Sequence, residues 1–331
     1  MKIDNTLLIA LKKVGNMINS EQRNLLNEMI LDLNNSKISE YKPSSVCWEN
    51  LSNQFEIFFN EIGINNVQNQ IRYNNLFSFI HDIPGLSFQS AVWSYYSYLK
   101  LKDKHNILTL TTALPSGNSN LDYNPFEKID GRPKDRENKL INWDYLISLD
   151  TIMTILECNP DLLNKPATIC EVGAGWGRVG YYLTQINNKI SYNIFDIPHT
   201  LLISSDYLYN NVKHIKVFKY LETKQNNYTT KKLLLKNPGI NFYTPNKLED
   251  FEDKCFDLFI NIASFQEMNI EQVTNYYKKI NQLSDNFYNQ QRYKDLDMEY
   301  NKYPLYDNWK KVFDKDINFH PLWFEQYFKI S

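Results

Sequence analysis

A glycine-rich segment, residues 169–178, is the strongest local signal for chemistry in this sequence. It reads ICEVGAGWGR, with glycines at alternate positions directly after a short apolar run. Such glycines let the backbone turn sharply and let a ligand approach the main chain closely. Glu171 stands two residues before the first glycine, where an acid favours a cationic ligand and repels a pyrophosphate. The dinucleotide fingerprint also requires glycine at its sixth position, which here is Arg178. The segment therefore favours a cationic ligand over NAD.

A second acid, Asp196, ends the next predicted strand, about 20 residues after the glycines. At this position an acid accepts hydrogen bonds from both ribose hydroxyls of a bound nucleotide. NAD and S-adenosylmethionine both carry a ribose, so Asp196 alone does not separate them. The sulfonium and ammonium groups of S-adenosylmethionine are cationic, which suits Glu171. The alternative for Asp196 is an N-cap of the helix that begins near Pro198.

The elements that must position these residues alternate between strand and helix in the second half of the chain. Because such alternation is typical of a parallel sheet with right-handed crossovers, we predict an α/β fold. This fold is a Rossmann-like, doubly wound sheet in residues 141–331, preceded by a mainly helical N-terminal region in residues 1–140. The crossover from Val212 to Gly239 is longer than a minimal one. Strands are predicted at 167–172, 192–195, 240–243 and 256–262, and helices at 179–186 and 198–209.

The first hundred residues follow helical spacing. Apolar residues recur every three or four positions, and Gly63 stands where the third predicted helix would stop. Between the helical segments, residues 115–139 contain prolines and glycines that break any regular element. We interpret this stretch as a loop over the active site or as a plain linker. The helices are predicted at 7–18, 20–33, 45–62, 93–98 and 143–155.

Composition and charge restrict the class of protein. The 36 basic and 38 acidic residues leave a net charge of −2, whereas nucleic-acid binders normally present a basic face. No apolar run reaches the length of a membrane span, and the first residues lack a signal-peptide profile. The four cysteines lie far apart, with no metal-ligand spacing. We expect a cytoplasmic protein without a nucleic-acid partner or membrane span; metal dependence and homo-oligomerisation are left open.

Three motifs resemble known families. Glu-x-Gly-x-Gly-x-Gly at 171–177 resembles the first motif of class I S-adenosylmethionine-dependent methyltransferases. FDIPH at 195–199 is similar to the Asp-Leu-Pro segment of small-molecule O-methyltransferases. FDLFINIASFQEM at 256–268 resembles the Ser-Phe-x-Glu-Met pattern of bacterial sugar O-methyltransferases. The resemblance implies methyl transfer from S-adenosylmethionine to a hydroxyl of a sugar, as a nucleotide-sugar or surface-glycan precursor.

The same resemblance implies a cofactor site. Glu171, Gly173 and Gly175 would line the methionine end, and Asp196 would hold the ribose. Asn246, after the third strand, would lie near the adenine, although the acid usual at that place is missing. The predicted cofactor-binding residues are completed by Ala174, Ile197 and Asn261.

Methyl transfer to a hydroxyl calls for a base, which contributes on the order of 10²–10⁴-fold when positioned. Plant phenol O-methyltransferases carry a His after the fourth strand; here Gln266 falls at that position, with Glu267 beside it. Glu267 is therefore the best candidate base, and its alternative is a helix-start carboxylate favoured by the dipole. His199 and His320 are reserve candidates. Their alternatives are a packed or capping histidine for His199 and a solvent-exposed loop residue for His320.

Other functions stay open at this stage. The runner-up is an O-methyltransferase for another small hydroxylated metabolite. An NAD(P)-dependent reductase is disfavoured by Glu171 and Arg178, and a DNA amino-methyltransferase by Asn261–Ser264, which lacks an Asn/Asp-Pro-Pro-Tyr-type turn. A degenerate fold used as an interaction module is less favoured because the glycines and both acids are intact. Arg178 is interpreted either as a contact to a nucleotide-sugar phosphate or as a surface residue of its helix.

Overall fold

The computed structural model describes residues 18–42, 46–73, 143–295, 298–317 and 320–331. The helices in these ranges are α1 (Ser20–Asn34), α2 (Val46–Glu61), α3 (Ile64–Tyr73), α4 (Trp143–Cys158), α5 (Arg178–Ile186), α6 (Pro198–Asn211), α7 (Tyr220–Asn226), α8 (Lys231–Lys236) and α9 (Ile270–Leu283). The strands are β1 (Ala167–Val172), β2 (Ile190–Phe195), β3 (Gly239–Tyr243), β4 (Leu258–Ile262), β5 (Asn286–Arg292), β6 (Lys294–Asp295), β7 (Met298–Glu299), β8 (Trp309–Ile317) and β9 (His320–Ile330).

Seven of these strands form one sheet in the order β3-β2-β1-β4-β5-β9-β8. Strands β1 to β5 are parallel, and β9 runs antiparallel to both β5 and β8. The order reverses between β1 and β4, which is the point where doubly wound sheets bind their ligands, beyond the carboxyl ends of the strands. The sheet thus brings the ends of β1, β2, β4 and β5 to one edge.

Strands β1 to β4 are buried along their whole length. This explains why they read as short apolar runs instead of alternating patterns: helices cover both faces of a parallel sheet. The four predicted strands and the helices at 179–186 and 198–209 are confirmed, with shifts of one or two residues at five of the twelve ends. Helix α6 begins at Pro198, whose fixed φ suits the first turn. The long crossover before β3 contains two short helices, α7 and α8.

The N-terminal helices pack on the sheet layer. Helix α1 has the predicted apolar stripe, with Leu26, Met29 and Leu33 buried, and Gly63 follows α2 in the left-handed region. Leu26 and Phe59 belong to the same hydrophobic cluster as residues of β2 and α6. Polar contacts add to it, as the amide of Gln68 donates to the carbonyl of Ile203 at 3.2 Å. The helical prediction for 20–33 and 45–62 is confirmed.

Several predictions fall on other parts of the chain. The predicted helices at 7–18 (except its last residue) and 93–98, the loop at 115–139 and the boundary between 140 and 141 lie outside the described residues. None of the helices in the ranges given above combines the length and apolar character that a membrane crossing requires.

Candidate active site

The turn between β1 and α5 is built on three glycines in the left-handed region, with φ of 73° at Gly173, 62° at Gly175 and 86° at Gly177. A Cβ on Gly173 would lie 2.2 Å from Oγ of Ser264, so the turn touches the segment that follows β4. A Cβ on Gly175 would meet no described atom within 4 Å. Among the described residues, the turn is therefore closed against the segment after β4 at its first glycine and open above its second.

Asp196, directly after β2, is hydrogen-bonded to this turn. Its Oδ2 accepts the backbone N–H of Gly175 at 3.1 Å, and its Oδ1 accepts that of Ile197 at 2.8 Å. The N-cap of α6 is Ile197, with no side-chain capping bond, so the N-cap alternative for Asp196 is wrong. Burial raises the pKa of Asp196 to about 8, against the lowering effect of the two backbone donors.

Glu171 lies on β1, 2% exposed, beneath the turn. The hydroxyl of Tyr192 donates to its Oε2 at 2.7 Å. Burial raises the pKa of Glu171 to about 7, while the Tyr192 bond and the charge of Arg178 lower it. The expectation that Arg178 lies on the helix surface is wrong: the residue is 8% exposed. Its Nη1 donates to Oγ of Ser148 at 3.4 Å, and its charge lowers the pKa of Glu171.

Glu267 lies in a 3-10 turn, Phe265–Glu267, immediately after β4. Helix α9 starts only at Ile270 and is capped by Asn269, so the helix-start alternative for Glu267 is wrong. The indole N–H of Trp48, from α2, donates to its Oε2 at 2.9 Å. Burial raises the pKa of Glu267 to about 7; Asp295 adds to the increase, and Trp48 and Arg292 oppose it.

Asp196 lies close enough to the other two acids for their charges to act on it. The charges of Glu171 and Glu267 both contribute to the raised pKa of Asp196. The acids come from β1, from the end of β2 and from the turn after β4, which neighbour one another in the sheet. The site around the glycine turn is therefore anionic once its acids ionise, which favours a cationic ligand.

Two predicted cofactor residues make contacts inside the protein. Asn261 is fully buried; its amide donates to the carbonyl of Val172 at 2.8 Å, and its Oδ1 accepts from the Gln291 amide at 2.6 Å. It joins the ends of β1, β4 and β5. The amide of Asn246 donates to the carbonyl of Asp32 at 3.2 Å. Its Oδ1 is buried and has no hydrogen-bond partner among the described residues.

The two reserve histidines lie in regular elements, His199 in the first turn of α6 and His320 in β9. His199 is 8% exposed, and its ring lies 6.4 Å from that of Phe55 and 6.3 Å from that of Phe59. Its Nε2 is 3.3 Å from Oε1 of Glu56, and burial lowers its pKa. This geometry favours a packed histidine over a catalytic one. His320 is the first residue of β9, paired with Ile317, and not in a loop between strands.

Three residues beside Glu267 were not predicted: Trp48, Arg292 and Asp295. Nη1 of Arg292 lies 2.8 Å from Oδ2 of Asp295, which also accepts from the Gln266 amide at 3.2 Å. Arg292 ends β5, so the rule that sites form at the carboxyl ends of parallel strands would have found it had β5 been assigned. No comparable signal exists for Trp48, which comes from a distant helix. Within the described ranges, no group of three or more His, Cys, Asp and Glu side chains is arranged to hold a metal.

No family model matches the sequence, and no curated protein matches it. Among solved structures, the chain is similar to a protein from Pyrococcus horikoshii OT3, with 11% identity, 63% of this chain and 100% of that one covered, and a TM-score of 0.40. A SAM-dependent methyltransferase from Aquifex aeolicus has 13% identity, coverages of 55% and 90%, and a TM-score of 0.35. Magnesium protoporphyrin IX methyltransferase from Synechocystis PCC 6803 with bound SAM has 10% identity, coverages of 76% and 100%, and a TM-score of 0.37. At identities and TM-scores this low, none of these likenesses carries an argument about cofactor or substrate.

Proposed function

We propose that this chain is an S-adenosylmethionine-dependent O-methyltransferase that acts on a sugar hydroxyl. The observation that carries the proposal is the position of three acids, the buried Glu171 and Asp196 and the half-buried Glu267, around a glycine turn that has no described atom within 4 Å above Gly175. Carboxylates beside the turn favour a sulfonium over a pyrophosphate at this position. The sheet also differs from that of the dinucleotide-binding fold at the position next to β5. Here the antiparallel β9 occupies it, whereas the dinucleotide-binding sheet, in the order 3-2-1-4-5-6, has its sixth strand there.

The residues present fit S-adenosylmethionine. Space above Gly175 admits a ligand directly against the main chain. Each oxygen of Asp196 accepts one backbone N–H and retains acceptor capacity for a ribose hydroxyl. The buried Oδ1 of Asn246 fits the amino group of an adenine. Glu171 would face the positive end of the ligand.

Bound S-adenosylmethionine would supply an electrophilic methyl group, and the protein must place a hydroxyl oxygen in line with it. Glu267 follows the segment whose Ser264 touches the glycine turn. In its ionised form it would take the hydroxyl proton. A pKa of about 7 suits a general base at neutral pH. The Trp48 bond holds Oε2, and within the described ranges Oε1 has no hydrogen bond and would face the acceptor.

A sugar is the acceptor that the Phe256–Met268 motif favours, through its resemblance to sugar O-methyltransferases. Another small hydroxylated metabolite is the alternative, because Glu267 would serve any alcohol in the same way. The cytoplasmic location expected from the sequence stays a prediction.

Thermal unfolding with S-adenosylmethionine, S-adenosylhomocysteine or NAD tests the cofactor, since a ligand that binds only the folded chain raises its melting temperature. We expect stabilisation by the first two compounds. Asp196→Ala should lose most of this stabilisation, because the ribose contact is removed. Stabilisation by NAD alone would falsify the proposal. Methyl-transfer assays over neutral sugars, sugar phosphates and nucleotide sugars then identify the acceptor.

A further inference from the structure

Arg292 lies at the carboxyl edge of the sheet, as the last residue of β5. Its neighbour strand β4 leads directly into the turn that carries Glu267. The backbone N–H of Arg292 donates to Oε1 of Gln266 at 2.7 Å. The arginine is therefore tied to the residue that precedes the candidate base.

The guanidinium of Arg292 is held in one orientation. Its Cζ lies 5.3 Å from the ring centroid of Trp323, an indole that is 1% exposed. Its Nη1 is 2.8 Å from Oδ2 of Asp295. Stacking on a fixed ring and one aligned carboxylate pre-organise the planar fork that binds carboxylates and phosphates.

Part of that fork remains available. The side chain of Arg292 is 32% exposed, and among the described residues Asp295 is the one acceptor that its guanidinium meets. A partly exposed ion pair of this kind contributes little to stability. The partial exposure of the side chain leaves room for a ligand to reach its remaining N–H donors.

The charge of Arg292 also reaches Glu267, whose pKa it lowers. The backbone bond from Arg292 to Gln266, the residue next to Glu267, places the arginine and the candidate base in the same region. A ligand with an oxyanion a short distance from its reacting hydroxyl would meet both groups at once. Arg178, for which a phosphate contact was one interpretation, is 8% exposed, and its charge acts on Glu171.

We propose that Arg292 binds an oxyanion of the acceptor, a phosphate or a carboxylate, while Glu267 faces the acceptor hydroxyl. This inference rests on the proposed methyl transfer to a hydroxyl. It makes the substrate class an anionic hydroxyl compound, such as a sugar phosphate, a nucleotide sugar or a uronate. Arg292 then determines specificity, because a neutral acceptor would leave its donors without a ligand partner.

Equilibrium binding to the full chain saturated with S-adenosylhomocysteine tests this role without requiring turnover. The probes are glucose, glucose 1-phosphate, glucuronate and inorganic phosphate. We expect the anionic probes to bind the wild-type protein and Arg292→Gln to weaken them by about tenfold or more, the effect of a lost charged hydrogen bond. Arg292→Lys should retain part of the affinity, because the charge remains without the fork. The affinity for glucose should not change.

Arg23→Gln is the matched control, since Arg23 is 29% exposed and paired with Glu56 on the N-terminal helices. It should leave all four affinities unchanged. The phosphate and uronate probes distinguish the two sources of the oxyanion. Equal anion affinity in Arg292→Gln and wild type, an equal loss in Arg23→Gln, or no anion binding by the wild type would each overturn the inference. Failure of the proposed function shows separately, as the lack of stabilisation by S-adenosylmethionine in wild type and Arg292→Gln alike.

Discussion

Asp196 is subject to two influences that act on its ionisation in opposite directions. Backbone N–H groups of Gly175 and Ile197 favour the carboxylate, whereas burial and the nearby acids favour the neutral form. The second influence is larger, so the folded pKa is about 8 instead of the ordinary 3.8. Between these values the folded chain holds a proton that the unfolded chain releases. The free energy of unfolding therefore falls as the pH rises through this window.

Asp196→Asn should remove this contribution. Without ligand, the wild type is expected to lose stability from pH 5 to pH 8 by up to about 1.4 kcal/mol per pH unit for this group. The variant should show a flatter profile, because its amide does not titrate. Denaturant unfolding at several pH values measures both curves. Parallel curves would mean that Asp196 is ionised throughout.

Glu267→Gln should keep cofactor affinity and lose turnover by at least about tenfold, because an amide cannot take the hydroxyl proton. In the wild type, kcat/KM should rise with pH through about 7, as the carboxyl group of Glu267 ionises. Steady-state rates and a cofactor titration check the two parts. Unchanged turnover would remove Glu267 from the role of base.

Trp48→Phe provides the matched test of positioning. In the wild type, the indole N–H of Trp48 favours the ionised form of Glu267. The variant should therefore have a higher Glu267 pKa. The rise of kcat/KM should move to higher pH, which a loss of packing alone would not produce. A lower rate with an unmoved profile would argue against the positioning role.

The site residues that could be predicted from the sequence are those that belong to short motifs or to one βαβ unit. Glu171 and the glycines form one continuous motif, and Asp196 follows at the spacing of a βαβ unit. Trp48 and Arg292 reach the site through tertiary contacts, and Trp48 and Glu267 are 219 positions apart in the sequence. His199 shows the opposite failure. Its place after the Asp196 motif suggested chemistry, whereas Phe55 and Phe59 make it part of a helix interface.

At the scale of elements, the β1–α5 turn differs in its tolerance from one glycine to the next. Gly173→Ala would place a methyl 2.2 Å from Oγ and 2.3 Å from Cβ of Ser264, in addition to the about 1–2 kcal/mol cost of a left-handed conformation. Gly175→Ala would bear only the second cost, because the space above it is open. We expect Gly173→Ala to destabilise the protein more, and Gly175→Ala to weaken cofactor binding.

Chemical denaturation and cofactor titration of the two variants separate these effects. Ser264→Gly in the Gly173→Ala background is the control, since it removes the clashing atoms and should restore part of the stability. Equal losses of stability in the two alanine variants would contradict the expected clash between residue 173 and Ser264.

The central βα units were predictable because buried parallel strands read as short apolar runs bounded by turns. The C-terminal hairpin was harder to assign. Strand β8 is largely exposed or half-buried, with an irregular register against β9, so neither a continuous apolar run nor strict alternation marks it. Helices α7 and α8 have 7 and 6 residues, too short for a helical stripe to emerge from the sequence.

At the scale of the whole molecule, the N-terminal helices and the sheet share one hydrophobic cluster. Further polar contacts cross between them: the Tyr41 hydroxyl donates to Glu249 at 2.6 Å, and that of Tyr220 to Asp32 at 2.6 Å. We therefore infer that the N-terminal helices and the sheet unfold together, although they are separate segments of the sequence.

Leu26→Ala tests this cooperativity. Leu26 is 0% exposed, and the loss of such a side chain costs about 2–5 kcal/mol. The cost should appear as a shift of a single unfolding transition of the whole protein. Tryptophan fluorescence and circular dichroism should report the same shift. Leu31→Ala is the control on the same helix: Leu31 is 55% exposed, and its loss should cost less than about 0.5 kcal/mol. A second transition, with the sheet signal unshifted, would show two independent units.

The acids around the glycine turn have a calorimetric consequence. With pKa values of about 7 for Glu171 and about 8 for Asp196, both are partly protonated at neutral pH. A sulfonium beside one and ribose hydroxyls on the other favour the ionised forms, so association would expel protons into the buffer. The apparent heat of association should then vary with the ionisation enthalpy of the buffer. The number of protons expelled should be larger for S-adenosylmethionine than for uncharged-sulfur S-adenosylhomocysteine.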